Sequence, residues 1–139
     1  MTRILLFGTF DGLHFGHVNL FLQAHEHAQE VYVILARDET VKQTKGRPPK
    51  HTEQERLAQV AKHPLITQAI LGSHEDKYEA IKHILPHKIG LGYDQQHFVE
   101  GLHEFIEKEL PHVEIIRFRP HREDSFKSSL INDGRGRLL

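Results

Sequence analysis

Two histidines and three glycines lie within ten residues near the start of the chain. The segment from Gly8 to His17 reads Gly-Thr-Phe-Asp-Gly-Leu-His-Phe-Gly-His and follows a short apolar run. Glycines permit tight turns and close approach of backbone to a ligand, and a helix that begins near Phe15 would direct free N–H groups at an anion. Imidazole donates hydrogen bonds and can be positively charged near neutral pH, so His14 and His17 can converge on a phosphate. The turn therefore has the residue types that stabilise a phosphoryl group during its transfer.

The elements that must position this turn are strands and helices that alternate along the chain. Short apolar runs predict five strands, at residues 3–8, 31–36, 66–71, 88–91 and 113–118. Apolar residues at helical spacing lie between them, and one helix is predicted to begin at Thr52 with Glu55 completing a capping box. A short helix is also expected near residues 125–131. The alternation predicts an α/β fold with a five-stranded parallel sheet, in one domain over residues 1–131 with a C-terminal tail at 132–139.

In sheets of this kind, ligands bind beyond the carboxyl ends of the strands. Four polar loops are predicted to follow strands, at residues 9–17, 37–50, 92–96 and 119–129. Residues 37–50 carry five basic residues against two acidic ones, and residues 117–137 carry six against three, although the net charge of the whole chain is −1. Two local basic patches suit a small polyanion better than duplex nucleic acid. The alternative for these patches is a pair of solvated basic loops.

Length and composition exclude several classes of protein. The 139 residues suffice for one domain, and the absence of cysteine excludes disulfides, zinc–thiolate sites and thiol catalysis. No apolar run reaches the roughly 18–20 residues of a membrane span, and the first apolar run is too short for a signal peptide, so we expect a soluble, cytoplasmic protein without membrane or nucleic-acid partners. Most of the 13 histidines stand singly among polar residues. His25 and His27 lie on different faces of a helix, so no metal site is predicted.

The turn at residues 8–17 resembles the HxGH signature of the nucleotidyltransferase superfamily, whose members include cytidylyltransferases and archaeal-type FAD synthases. This resemblance implies a Rossmann-like fold and transfer of a nucleoside monophosphate from a triphosphate to a phosphate-bearing acceptor, with Mg²⁺ carried by the nucleotide. Five further segments are similar to archaeal-type FAD synthases in particular: residues 36–42, 45–47, 53–56, 69–73 and 91–95. The similarity implies that AMP passes from ATP to FMN, giving FAD and pyrophosphate. Homodimers are common among such relatives.

The resemblance also assigns roles to residues, position by position. It implies catalytic roles for His14, His17, Lys45 and Arg122. It implies nucleotide binding by Gly8, Thr9, Phe10, Gly16, Gly92, Asp94, Ser128 and Ser129. It implies acceptor binding by Asp11 and Lys42.

Two departures from the superfamily's patterns keep other functions open. Related enzymes have a lysine where this chain has Leu130, while Lys127 stands at a position usually held by serine. A nucleotide-binding module without turnover is therefore one alternative. Residues 63–67 lack the arginine and aspartate of glycerol-phosphate cytidylyltransferases, which disfavours CTP without excluding it.

Residues 37–56 are also similar to heptose-phosphate adenylyltransferases, so a cytidylyl- or adenylyltransferase acting on a sugar or polyol phosphate is the second enzymatic hypothesis.

Overall fold

A five-stranded parallel sheet forms the centre of the protein. The computed structural model describes residues 1–73, 78–92, 95 and 99–120. The strands are β1 (Arg3–Gly8), β2 (Glu30–Leu35), β3 (Gln68–Leu71), β4 (Lys88–Leu91) and β5 (Glu114–Arg117). Their order across the sheet is β3-β2-β1-β4-β5, and each neighbouring pair is parallel. The chain first adds strands on one side of β1 and then continues on the other side. The strand order therefore reverses between β1 and β4, which is where ligands bind in open α/β sheets.

Helices cover both faces of the sheet. They are α1 (Phe15–His27), α2 (Asp38–Lys45), α3 (Glu53–Ala61), α4 (Glu79–Ile84) and α5 (Val99–Glu109). Alternate residues of β1 point to opposite faces, as the two-residue period of a strand requires. Ile4 belongs to a buried cluster that includes Phe21 of α1, whereas Leu5 belongs to a second cluster that includes Ile81 of α4 and Leu102 of α5. The central strand is buried on both faces, which explains its continuous apolar run.

The predicted fold class is confirmed, and most elements lie close to their predicted positions. The bounds of β1 and β4 match the prediction, and the other three strands begin or end within two residues of it. The predicted capping box at the start of α3 is present. Thr52 Oγ1 accepts from the Glu55 N–H at 3.1 Å, and Glu55 Oε1 accepts from the Thr52 N–H at 2.9 Å. Local hydrogen bonding therefore sets where α3 begins.

The prediction of a loop throughout residues 37–50 was wrong, because α2 occupies Asp38–Lys45. Acidic residues in its first turn and lysines in its last turn interact favourably with the helix dipole. Gly46, at φ 81°, ends the helix in the left-handed conformation. The first turn also depends on a distant residue, since Glu53 Oε1 accepts from the Asp38 N–H at 2.8 Å. Helix propensity alone stabilises a helix of eight residues only weakly. The hydrogen bond from the Asp38 N–H to Glu53 supplies the N-terminal cap that the local sequence does not provide.

Arg56 of α3 is fully buried and joins three separate loops. Its guanidinium donates to the carbonyls of Thr9 at 2.9 Å and Ala36 at 2.8 Å, and its Nε donates to the carbonyl of His51 at 3.1 Å. Its Nη2 donates to Asp38 Oδ1 at 2.7 Å. These acceptors belong to the loops after β1 and β2 and to the segment before α3. One buried side chain therefore holds together the carboxyl edge of the sheet.

Several predictions lie outside the described residues. They are the short helix near 125–131, the boundary between residues 131 and 132, and the site residues Asp94, Arg122, Ser128 and Ser129. Within the described part of the chain, none of the helices combines the length and apolar character needed to cross a bilayer.

Replacement of Arg56 by methionine should strongly destabilise the protein. Arg56→Met keeps most of the buried volume but leaves three carbonyls and a carboxylate without their donor, and we expect a loss of about 3 kcal/mol or more. Urea unfolding followed by circular dichroism measures this loss. The control is Arg47→Met at an exposed position, for which we expect a change under about 0.5 kcal/mol. Equal effects of the two substitutions would contradict the role given to Arg56.

Candidate active site

A cavity of about 550 Å³ opens where the strand order reverses. The turn after β1, the first residues of α1 and the carboxyl end of β4 surround it. His14, His17, Lys45 and Gly92 are among the residues that line it. The described residues of the loops after β1 and β4 therefore border a cavity at the carboxyl edge of the sheet, where ligand binding was predicted from the sequence. Segments that are distant in sequence meet here, namely the turn after β1, the end of α2, the end of β4 and the residues after β5, as a binding site on this architecture requires.

His14 and His17 begin α1 and share a reciprocal hydrogen-bonding arrangement. The Gly16 N–H donates to Nδ1 of His14 at 3.0 Å, and the His14 N–H donates to Nδ1 of His17 at 3.3 Å. The two rings stack with centroids 3.9 Å apart. Because each Nδ1 accepts a hydrogen bond, the neutral form of each ring carries its proton on Nε2. Both histidines thus offer an Nε2–H donor to an anion at the helix N-terminus.

His17 is neutral near pH 7, contrary to the expectation from sequence that its ring could be charged there. Burial of the ring, together with smaller electrostatic contributions from His14 and Lys45, lowers the pKa of His17 to about 4. In the ligand-free protein His17 therefore acts as a hydrogen-bond donor rather than a cation. An anion in the cavity would oppose these effects and favour a protonated ring.

Phe10 supports the histidines from beneath the turn. Its ring is 3% exposed and lies 5.0 Å from the ring of His17 and 5.8 Å from that of Phe21, centroid to centroid. Its φ of 55° is in the left-handed region, which is strained for a bulky residue. A Cβ at Gly8 would lie 2.6 Å from the Phe10 ring, so only glycine fits there. Packing against these neighbours outweighs the strain and holds the turn in one conformation.

The carboxylate of Asp11 is occupied by the segment before α3. It accepts from the N–H groups of Lys50 at 2.7 Å and His51 at 2.9 Å, and its Oδ1 lies 2.8 Å from Nδ1 of His51. Partial burial raises the pKa of Asp11, but the backbone donor of Lys50 and the donors of His51 outweigh it, and the pKa falls to about 2. These contacts hold the turn after β1 against the segment before α3. Acceptor binding by Asp11 stays a prediction.

The two lysines predicted from sequence occupy different positions relative to the cavity. Lys45, in the last turn of α2, lines the 550 Å³ cavity. Lys42 is exposed and lines neither this cavity nor its neighbour. The helix α2 that the sequence failed to predict is thus the element that brings Lys45 to the site.

A second cavity, of about 380 Å³, adjoins the first at the carboxyl ends of β2 and β3. Its walls are mixed. Ile34, Leu35 and Val41 supply apolar surface, while Arg37 and Thr44 supply polar groups. The residues that line both cavities are Phe7, Gly8, Thr9, Lys45 and Gln95. Two ligands could therefore lie side by side and meet at the turn after β1.

Most predicted site residues among those described lie on the 550 Å³ cavity. They are Gly8, Thr9, Phe10, Asp11, His14, Gly16, His17 and Lys45, together with Gly92. Several polar residues of this cavity were not predicted individually from the sequence, namely Asn19, Gln23, Gln95 and Arg119. Gln95 and Arg119 belong to the loops predicted at residues 92–96 and 119–129, whereas nothing in the pattern of α1 marked Gln23 as different from a surface residue.

Gln23 attaches the segment after β5 to α1. Its side chain is 4% exposed, donates to the carbonyl of Arg119 at 3.0 Å and accepts from the Arg119 N–H at 3.0 Å. It also donates to Asn19 Oδ1 at 2.8 Å. A buried amide with both of its groups bonded places the start of the C-terminal segment beside the cavity.

The described residues supply no suitable set of ligands for a protein-bound metal. No three histidine or acidic side chains in residues 1–73, 78–92, 95 and 99–120 converge as a metal site. The carboxylate on the 550 Å³ cavity, that of Asp11, is already bonded to the segment before α3. The described wall of this cavity offers mainly hydrogen-bond donors and thus fits an anionic ligand better than a metal cation.

Comparison with known proteins agrees with this geometry. The profile of the Cytidylyltransferase-like family matches residues 5–130. The FAD synthase of Methanosarcina barkeri is 41% identical over 88% of this chain and 87% of its own length. The FAD synthase of Methanohalophilus mahii is 37% identical over 88% of this chain and 85% of its own.

Two solved structures have the same fold. The lipopolysaccharide core biosynthesis protein of Thermoplasma volcanium superposes with a TM-score of 0.79 at 32% identity, over 87% of this chain and 98% of that one. Pantoate-beta-alanine ligase from Francisella tularensis has a TM-score of 0.62 at 15% identity, over 89% of this chain and 61% of that one, which shows a common fold alone. The family match across most of the chain and the similarity to FAD synthases lead to one conclusion: this chain belongs to the cytidylyltransferase-like family and is a nucleotidyltransferase.

Proposed function

We propose that the protein transfers AMP from ATP to FMN, giving FAD and pyrophosphate. The observation that carries this proposal is the pair of adjoining cavities, one beside the paired histidines and one beside α2, with a common wall at the turn after β1. A transfer between two phosphate-bearing molecules needs such an arrangement, because both substrates must be held with their phosphates in contact. The names of the methanogen relatives support FMN as the acceptor.

In the proposed reaction an FMN phosphate oxygen attacks the α-phosphorus of ATP in line. The new bond joins that oxygen to the α-phosphorus, and the bond from the α-phosphorus to the bridging oxygen breaks, so pyrophosphate leaves with the electron pair. No general base is needed, since a phosphate monoester is already ionised near pH 7. No covalent enzyme intermediate is needed either. The Nε2–H groups of His14 and His17 and the ammonium of Lys45 stabilise negative charge as it develops.

Mg²⁺ is proposed to arrive bound to the triphosphate, where it would offset the charge of the phosphate oxygens. The walls of both cavities supply donors and cations, which complements a magnesium-bound nucleotide. Arg122 stays a predicted catalytic residue, Asp94, Ser128 and Ser129 stay predicted ligands of the nucleotide, and Lys42 stays a predicted ligand of the acceptor. Cytoplasmic location and a homodimer also stay predictions.

The second candidate function is transfer of AMP or CMP to a sugar or polyol phosphate. The specific observation in its favour is the similarity to the Thermoplasma protein, whose description names lipopolysaccharide core biosynthesis. A heptose phosphate is smaller and more polar than FMN, whereas the second cavity has apolar residues from β2 and α2. Those apolar residues favour an acceptor with a flat hydrophobic ring system.

Pyrophosphate release tests the proposed function directly. With Mg²⁺, ATP and FMN we expect release of pyrophosphate and formation of FAD, and we expect neither when FMN is omitted. The same assay with CTP, and with glycerol phosphate or heptose phosphate in place of FMN, covers the second candidate. Release only with a sugar or polyol phosphate would refute FMN as acceptor. Nucleotide binding without release for any acceptor would refute turnover altogether.

Removal of the His17 imidazole should slow the reaction far more than it affects folding. We expect His17→Ala to lower kcat by about 10²–10³, the usual cost of losing one donor to a developing oxyanion. The matched control is His103→Ala, which removes an exposed imidazole from α5. Steady-state kinetics at saturating ATP and FMN compare the two variants. Turnover of His17→Ala within about twofold of the control, well short of the usual cost, would contradict the role given to this ring.

The His17 ring should titrate near pH 4 in the ligand-free protein. Proton–carbon NMR of the histidine side chains measures this titration, and His17→Ala identifies the resonance. Lys45→Gln removes one of the nearby positive charges and should raise the pKa of His17. A ring that titrates at or above the ordinary value of 6.5 would contradict the neutral state assigned to it.

A further inference from the structure

The turn after β4 is tied to the end of β1 by one side chain. Nε2 of Gln95 donates to the carbonyl of Phe7 at 3.1 Å, and Oε1 of Gln95 accepts from the Gly92 N–H at 2.7 Å. The last register pair between β1 and β4 is Leu6 with Gly90. The Gln95 amide therefore connects the two strands beyond their ladder, one residue past it on β1 and two residues past it after β4, at the position where the strand order reverses.

Arg117 of β5 holds the same turn from the other side. Its Nη1 donates to the carbonyl of Gly92 at 2.8 Å and to the carbonyl of Gln95 at 2.6 Å. The Gln95 N–H also donates to the Gly92 carbonyl at 3.0 Å. Gly92 and Gln95 are thus bonded to fixed strands, which restricts the positions of these two residues.

The amide of Gln95 suits these two partners in a way that similar side chains do not. One end must donate to a carbonyl and the other must accept from an N–H. Glutamate in its ionised form keeps the acceptor but places a negative oxygen against the Phe7 carbonyl. Leucine supplies neither group, so both hydrogen bonds of the Gln95 side chain are lost.

Gln95 also lies on the wall that the two cavities share. We propose that Gln95 is a positioning residue that fixes this shared wall, and thereby the alignment of the two substrates. The proposal rests on the proposed function for the identity of those substrates. Alignment of reacting atoms is sensitive, since a displacement of about 1 Å can cost about 10²-fold in rate. Gln95 needs no contact with the reacting phosphates to act in this way.

Kinetics of Gln95→Leu and Gln95→Glu test the proposal. With ATP and FMN both saturating, we expect Gln95→Leu to lower kcat by about 10–100-fold while the protein stays folded by circular dichroism. The matched control is Gln54→Leu, at an exposed position of α3, which should keep kcat within about twofold, as expected of a surface substitution. A kcat of Gln95→Leu equal to that of the control would overturn the proposal.

The pH dependence of Gln95→Glu separates positioning from a general loss of stability. A protonated glutamate can donate to the Phe7 carbonyl as the amide does, so the ratio of variant to wild-type kcat should rise as pH falls from 8 toward about 5, approaching the usual carboxyl pKa range. A variant that is only less stable would show no such recovery. A ratio that stays constant across this range would overturn the proposal.

Failure of the proposed function is recognised separately, from the wild-type protein. If wild-type protein releases no pyrophosphate with ATP and FMN, the acceptor is wrong, and calorimetric titration with Mg²⁺–ATP replaces kinetics. Gln95→Leu should then bind Mg²⁺–ATP about tenfold more weakly than Gln54→Leu, because the nucleotide side of the shared wall is also displaced. Equal affinities in that titration would overturn the proposal.

Discussion

The buried guanidinium of Arg56 determines how the loops of the active site must be arranged. A charge removed from water costs several kcal/mol unless partners surround it, and here the carbonyls of Thr9, Ala36 and His51 and the carboxylate of Asp38 supply them. Each acceptor belongs to a loop or helix start at the carboxyl edge of the sheet. These loops are therefore not independent of one another, because any that moved away would leave part of the charge unpaired.

The constraint set by Arg56 extends through hydrogen bonds to the turn that carries the paired histidines. Its partner His51 also binds Asp11, and Asp11 belongs to the turn that ends at His14. The donors proposed to bind phosphate are thus held in position before a ligand arrives, which is the condition for electrostatic stabilisation without reorganisation. The neutral state of His17 belongs to the same arrangement, because burial of the ring and its position beside His14 and Lys45 both disfavour the charged form.

The sequence predicted the parts of the site that depend on neighbours along the chain. The turn at residues 8–17 has glycines and histidines at spacings that suit a strand–turn–helix, and Thr52 with Glu55 marks a helix start by local hydrogen bonds alone. The helix at Asp38–Lys45 was missed although its charges and Gly46 were visible. Its first turn is capped by Glu53, a residue whose proximity follows only from the fold.

By itself, the sequence determined the fold class, the glycine- and histidine-rich turn proposed to bind phosphate, and the edge of the sheet where the cavities open. These follow from periodicity and local geometry, which act over a few residues. Only the tertiary structure decided that Arg56 is buried, that Gln95 joins β1 to β4 and that His17 is neutral. Burial, pairing between distant segments and the electrostatic environment of a side chain depend on which strands become neighbours, and sequence spacing does not contain that information.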